Sequence, residues 1–154
     1  MKIVNILAGL GNQMFEYAMY LALKDAHPQE DINVCTRSFC GYGLHNGLEI
    51  QQIFGVELPE DSLWELTKVA YPFFNYKTWQ VMQTWQVMRL FLSVRKSMTR
   101  GGLDIPFDFL QVTREDSCYY EGYWQNEKNF KHIREKMLKA YTSPELEDGK
   151  ILVI

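Results

Sequence analysis

The chain has 154 residues, enough for one domain with a real core and too few for two full ones. Apolar residues make up 47%, charged residues 23% and aromatics 14%, a balance that argues against disorder. Sixteen Lys and Arg against nineteen Asp and Glu leave a net charge of -3, which argues against a dedicated nucleic-acid binder, and no apolar run approaches the roughly 18 residues of a spanning helix.

Lys2 to Leu7 reads as a short buried strand, interrupted by the polar Asn5. Ala8-Gly9-Leu10-Gly11-Asn12 follows as a tight glycine turn. From Gln13 to about Ala26 the pattern is helical, with Phe15, Met19, Ala22 and Ala26 on one face and Asn12 placed as N-cap. Asp31 to Cys35 reads as a second strand. Strand, glycine turn, helix and strand open a parallel α/β unit.

Residues 36 to 47 are loop-like, with Gly41, Gly43 and Gly47. Leu48 to Phe54 is a short helical piece closed by Gly55, and a helix over 61–70 opens with acidic residues in its first turn. Thr78-Trp79-Gln80-Val81-Met82-Gln83 is followed at once by the near-copy Thr84-Trp85-Gln86-Val87-Met88-Arg89, a local insertion. Six residues are not a whole number of helical turns, so Trp79 and Trp85 cannot share a face, and one copy is expected to pack while the other is displaced. Residues 84 to 100 read as an amphipathic helix with a basic end at Arg95, Lys96 and Arg100. Cys118 to Tyr123 reads as a third strand. Gln125 to Tyr141 reads as a charged helix with Phe130, Ile133, Met137 and either Leu138 or Tyr141 inside. A polar linker and the strand-like Ile151-Leu152-Val153-Ile154 complete the sequence.

Cys35, Cys40 and Cys118 are odd in number and at no metal-like spacing, so free thiols in a reducing compartment are expected. No secretory signal is visible, and a cytoplasmic location is expected.

Gly9-Leu10-Gly11 at the mouth of a helix is a candidate anion site, because glycines admit close approach and the first helical turn offers free N–H groups. The spacing itself is weak. Met14 stands where a dinucleotide fingerprint needs glycine, no Gly-Lys-Ser/Thr follows, and a purely structural βα turn looks much the same.

The longer string Gly9-Leu10-Gly11-Asn12-Gln13-Met14-Phe15-Glu16-Tyr17-Ala18 resembles the N-terminal signature of the α-1,2-fucosyltransferases of glycosyltransferase family 11. His45-Asn46-Gly47-Leu48-Glu49-Ile50 with Ile53-Phe54-Gly55 resembles that family's second conserved segment, and Tyr120 to Phe130 (YEGYWQNEKNF) its third. The order is the expected one, and the resemblance runs from residue 1 to about 141. Ala8, Glu16 (commonly Gln) and the six-residue duplication depart from the family pattern.

The resemblance implies an α/β fold, namely a helix-rich, Rossmann-like N-terminal domain (1–141) of a two-domain GT-B enzyme. It implies transfer of L-fucose from GDP-fucose to the 2-hydroxyl of a galactoside, with inversion and without a metal or other cofactor. Surface-polysaccharide synthesis at the inner face of the bacterial membrane would be the setting. Donor contacts are implied for Gly9, Gly11, Asn12 and Gln13. Residues 142–154 would then be a linker and the first strand of a donor-binding domain. The family's H-x-R-R-x-D motif is absent: Arg37, Arg89, Arg95, Arg100, Arg114 and Arg134 all stand alone. Departing diphosphate without a metal requires fixed cations. The expectation is therefore a truncated fucosyltransferase, with an inactive remnant that binds sugar or nucleotide weakly as the alternative.

Tyr123 and Trp124 are candidates to stack an acceptor sugar, against an aromatic core plug. His45 and Asn46 are candidates for the cleft, against a loop-capping pair. Glu49, Glu121 and Glu127 are the candidate general bases, with no choice among them. Trp85, Met88, Phe91, Leu92, Arg95 and Lys96 suggest either a membrane-surface helix or a core-facing one with a cationic end. An unpaired terminal strand would favour self-association.

Overall fold

The computed structural model describes residues 1–70, 72–85, 97–101 and 117–142. The apolar run at the N-terminus forms strand β1 (Lys2–Asn5), flanked on one side by β2 (Ile32–Cys35) and on the other by β4 (Cys118–Gly122). A further strand, β3 (Ser97–Gly101), pairs with β4, which gives a four-stranded sheet of order β2-β1-β4-β3. Every pairing is parallel, with Lys2 opposite both Ile32 and Cys118, and Ser97 opposite Cys118.

Parallel strands covered on both faces bury successive residues alternately. Val4, Ile32, Val34, Cys118 and Tyr120 enter one hydrophobic cluster, while Ile3, Cys35 and Tyr119 enter the other. Helix α1 (Leu10–Ala26) covers the first face and carries the chain from β1 to β2. Its Ala18 and Ala22 are fully buried, small enough to bring the helix close to the sheet, with Met19 and Leu23 filling the space beside them. A fully buried leucine of this kind contributes roughly 1.5–3 kcal/mol. Helices α2 (Glu49–Phe54) and α5 (Arg134–Ala140) sit on the same side, and α3 (Leu63–Val69) on the other. Helix α4 (Tyr76–Trp85) adds Trp79 to the second cluster. The chain is therefore an α/β protein with a parallel sheet between helices.

Local chemistry sets the ends of these elements. Gly55 takes the left-handed conformation, with φ of 62°, that closes α2. Ser62 and Glu65 form a reciprocal capping box that starts α3. The backbone of Pro59 and Asp61 bonds to Val34 and covers the outer edge of β2. Cys35 and Cys118 are buried, Cys40 is exposed, and all three thiols are free.

Three expectations are corrected. The N-cap of α1 is Gly9 and not Asn12, so the helix starts at Leu10 inside the glycine turn. The stretch expected to end an amphipathic helix at 97–100 is strand β3, because the free edge of β4 offers it a parallel ladder that local propensity does not register. The expected helix over 125–141 is helical only from Arg134. Before it run two 3-10 turns, Glu127–Asn129 and Lys131–Ile133, the first initiated by the Asn126 side chain accepting the Lys128 N–H. Phe130 and Ile133 are buried as expected, Met137 and Tyr141 pack beside them, and Leu138 is exposed. The first hexapeptide copy packs through Trp79. Met88, Phe91, Leu92, Arg95, Lys96 and residues 143–154, expected as linker and strand, lie outside the described residues, as does the Trp85 side chain. Among the described residues no helix is long and apolar enough to cross a membrane.

Candidate functional site

In this sheet β1 connects to β2 on one side, while β3 and β4 lie on the other. The chain thus reverses its winding between β1 and β4. Parallel α/β sheets bind ligands outside the carboxyl ends of their strands at such a point. Here that place is formed by Asn5 at the end of β1 and Leu7 beyond it, Glu121 and Gly122 at the end of β4 with Tyr123 just past them, Glu16 of α1 and Trp79 of α4, around a cavity of about 220 Å³.

The glycine turn beside it is locked by Gln13, which is fully buried. Its Nε2 donates to the carbonyls of Ala8 (2.7 Å) and Gly47 (2.8 Å). Its Oε1 accepts the N–H groups of Glu49 (2.9 Å) and Ile50 (3.0 Å), the first turn of α2. Two donors and two acceptor sites are the whole capacity of a glutamine amide. Gln13, expected at the donor, is therefore spent within the protein and acts by fixing the loop. His45 takes φ of 60° and lies against Gly9, where a Cβ would stand 3.1 Å from its Nδ1. A side chain at Gly9 would therefore press on the exposed imidazole. Nothing stands within 4 Å of a Cβ at Gly11, which is exposed to solvent. Asn12 Oδ1 accepts from Gln125 Nε2 at 2.6 Å, tying the turn to the segment after β4.

Glu16 lies one helical turn beyond Gln13 and is only 2% exposed. It accepts the Leu7 N–H at 2.7 Å. Burial pushes its carboxyl well above the usual glutamate range. The Leu7 N–H pulls it partly back, and the nearby Glu121 raises it further. Asn5 is 2% exposed, and its Oδ1 has no hydrogen-bond partner among the described residues. An aromatic series runs along the neighbouring loop and α4: Tyr42 meets Tyr76 edge-on at 4.8 Å, and Tyr76 stacks on Trp79 at 5.5 Å. Tyr42 also packs on His45, with ring centroids 6.1 Å apart. Burial raises the Tyr42 phenol, with smaller contributions from Tyr76, Tyr123 and Glu16.

The structure separates the remaining candidates. Tyr123 is 46% exposed and lines the cavity, whereas Trp124 is 1% exposed, at φ of 53°, and packs against Tyr120 in the core. Trp124 is the core plug and not a stacking platform. Asn46 Nδ2 donates to Glu49 Oε1 at 3.0 Å, a loop-capping pair beside the exposed His45. Of the three candidate bases only Glu121 lines the sheet-end cavity. Glu49 is buried at the start of α2, and Glu127 borders a separate apolar groove between α1 and α5 with Phe15, Arg134 and Leu138. Asn5, Glu16 and Trp79 line the cavity without being among the residues expected at the site, and only Asn5 and Glu16 carry a signal in the sequence. Their signal was polarity inside apolar patterns, Asn5 in a strand run and Glu16 beside the inner face of a helix. Among the described residues no three His, Cys, Asp or Glu side chains are placed to hold a metal. No family model, curated protein or solved structure matches the chain.

Proposed function

We propose that the chain is the Rossmann-like part of a GT-B glycosyltransferase of the α-1,2-fucosyltransferase type, acting with GDP-fucose and a galactoside acceptor. One observation carries this reading. The three segments that resemble the family lie far apart in sequence, yet they interlock at the carboxyl end of the sheet. Gln13 of the first holds Gly47, Glu49 and Ile50 of the second. Asn12 and Phe15 of the first meet Gln125 and Phe130 of the third. His45 of the second covers Gly9 of the first. In this reading the donor diphosphate approaches the uncapped start of α1 at Gly11 and Asn12. The acceptor lies toward Tyr123, and no metal takes part.

A second reading has its own support. The cavity is lined by two carboxyl side chains and by no Lys, Arg or His among the described residues. A departing diphosphate needs cations, so the chain by itself would bind sugar or nucleotide without transfer. The test is GDP release from GDP-fucose in the presence of lactose, with Gly11→Glu as control. That change meets open space and suits the helix N-terminus, so it leaves the fold intact while repelling phosphate. Release above the control supports transfer. GDP binding that is lost in the control, without release, supports the second reading. Neither binding nor release from folded protein rejects both.

A further inference from the structure

The groove between α1 and α5 has no role in the proposed transfer and shares no lining residue with the sheet-end cavity. Its floor is Phe130, only 3% exposed, whose ring lies 6.1 Å from that of Phe15. Met137 and Tyr141, both partly buried, add apolar walls. Leu138 lines the same groove and is 55% exposed. The walls are fixed before any ligand arrives. Lys136 pairs with Asp25 near the end of α1, and the Tyr141 hydroxyl donates to the Met14 carbonyl near its start. The volume of about 490 Å³ falls within the roughly 300–1,000 Å³ of pockets that hold small molecules.

Charge selects the occupant. Lys131 and Arg134 line the groove, are exposed and form no ion pair among the described residues. The one carboxylate lining the groove is that of Glu127. Residues 125–142 carry five Lys and Arg against two Glu, in a chain whose net charge is -3. Two cations beside an apolar slot are complementary to an acid joined to an alkyl chain. The acid gains charge-assisted hydrogen bonds, and the chain leaves water. Two features favour one molecule over a bilayer. The apolar side chains line a hollow, whereas a membrane-surface helix presents an apolar face to the lipid. Glu127 and Glu135, both exposed on the same segment, would also stand against anionic headgroups.

We propose that this groove binds a single anionic amphiphile, its alkyl chain against Phe15, Met137, Leu138 and Tyr141 and its acid head on Lys131 and Arg134. The proposal does not rest on the glycosyltransferase reading.

Sodium decanoate, kept below its micelle concentration, tests this in an amide chemical-shift titration of the full chain. Decanol serves as the uncharged chain and butyrate as the short acid. Decanoate should bind saturably, one per protein, and shift the amides of Phe15, Lys131, Arg134 and Leu138. Decanol should bind at least tenfold more weakly, and butyrate not at all. The double variant Lys131→Gln, Arg134→Gln changes two exposed side chains and should weaken decanoate at least tenfold while leaving decanol unchanged. Leu138→Asp, also at an exposed position, should weaken both, with circular dichroism showing the native fold in each variant. The proposal is overturned if folded wild-type protein does not bind decanoate, if decanol or butyrate binds as tightly, or if either variant binds decanoate as wild type does. Sedimentation with phosphatidylglycerol vesicles by a chain that ignores monomeric decanoate would overturn it in favour of a bilayer surface.

Discussion

Gln13 and Glu16 lie one turn apart on α1, both buried, and are used in opposite ways. Gln13 sits on the side where the glycine turn meets α2, and all of its hydrogen-bonding capacity is consumed by backbone groups. Glu16 sits on the side where β1 meets β4, receives the Leu7 N–H, and lines a cavity together with Glu121 and with Asn5, whose buried Oδ1 is unpaired among the described residues. A buried polar group that is fully satisfied specifies structure. One that is incompletely satisfied costs stability and calls for a partner from outside, water included. Burial alone divides Tyr123 and Trp124, adjacent in sequence, with the first half-exposed at the cavity and the second in the core.

Substitutions sharpen this contrast, and the largest effects are expected at the buried positions away from the cavity. Trp124→Ala removes a fully buried ring and should cost about 3–5 kcal/mol in urea unfolding. Gln13→Ala strips partners from four backbone groups and should cost about 3 kcal/mol, lowering the urea midpoint without abolishing helix signal. Gly9→Ala brings a Cβ to 3.1 Å from the His45 Nδ1, so the exposed imidazole must give by a few tenths of an ångström; the cost should stay within about 1 kcal/mol and be relieved in the Gly9→Ala, His45→Ala double variant.

On the cavity side the sign changes. The folded state holds the Glu16 proton more tightly than the unfolded chain. Its contribution to stability is therefore fully present below the unfolded glutamate pKa of about 4.3 and is lost as pH rises through the raised folded value. Glu16→Gln keeps an acceptor for the Leu7 N–H without that loss. Its melting temperature should exceed that of wild type at alkaline pH, and the difference should shrink as the pH falls toward 4–5, roughly the unfolded glutamate range. A constant difference across the range would mean that Glu16 does not titrate in this way. Tyr123→Ala should change stability by less than about 0.5 kcal/mol, since its side chain is 46% exposed.

Much of the fold was legible because its signals are local. The apolar run of β1, the helical spacing of α1, the glycine that ends α2 and the strand at Cys118 were each read within a few residues of where they lie. Strand β3 was not, because Ser97–Gly101 is held as a strand by the ladder of β4 and carries no alternating pattern of its own. The turns before α5 were read as helix because Phe130, Ile133 and Met137 keep helical spacing even through 3-10 geometry. The site was legible in outline: Gly9, Gly11, Asn12, His45, Asn46 and Tyr123 lie at the same end of the sheet. Their division of labour was not. Sequence alone cannot show that an amide such as Gln13 has all its bonds satisfied, or that Asn5 and Glu16, far from Glu121 in the chain, close one cavity with it.

The most direct measurement is an amide chemical-shift map of the full chain titrated with methyl β-D-galactoside and, separately, methyl α-L-fucoside. The account predicts that one of them shifts the amides of Asn5, Leu7, Glu121 and Tyr123 while those of Glu49 and Ile50, bound to Gln13, stay in place. Shifts confined to the Gln13 side, or none from either sugar in folded protein, would contradict it.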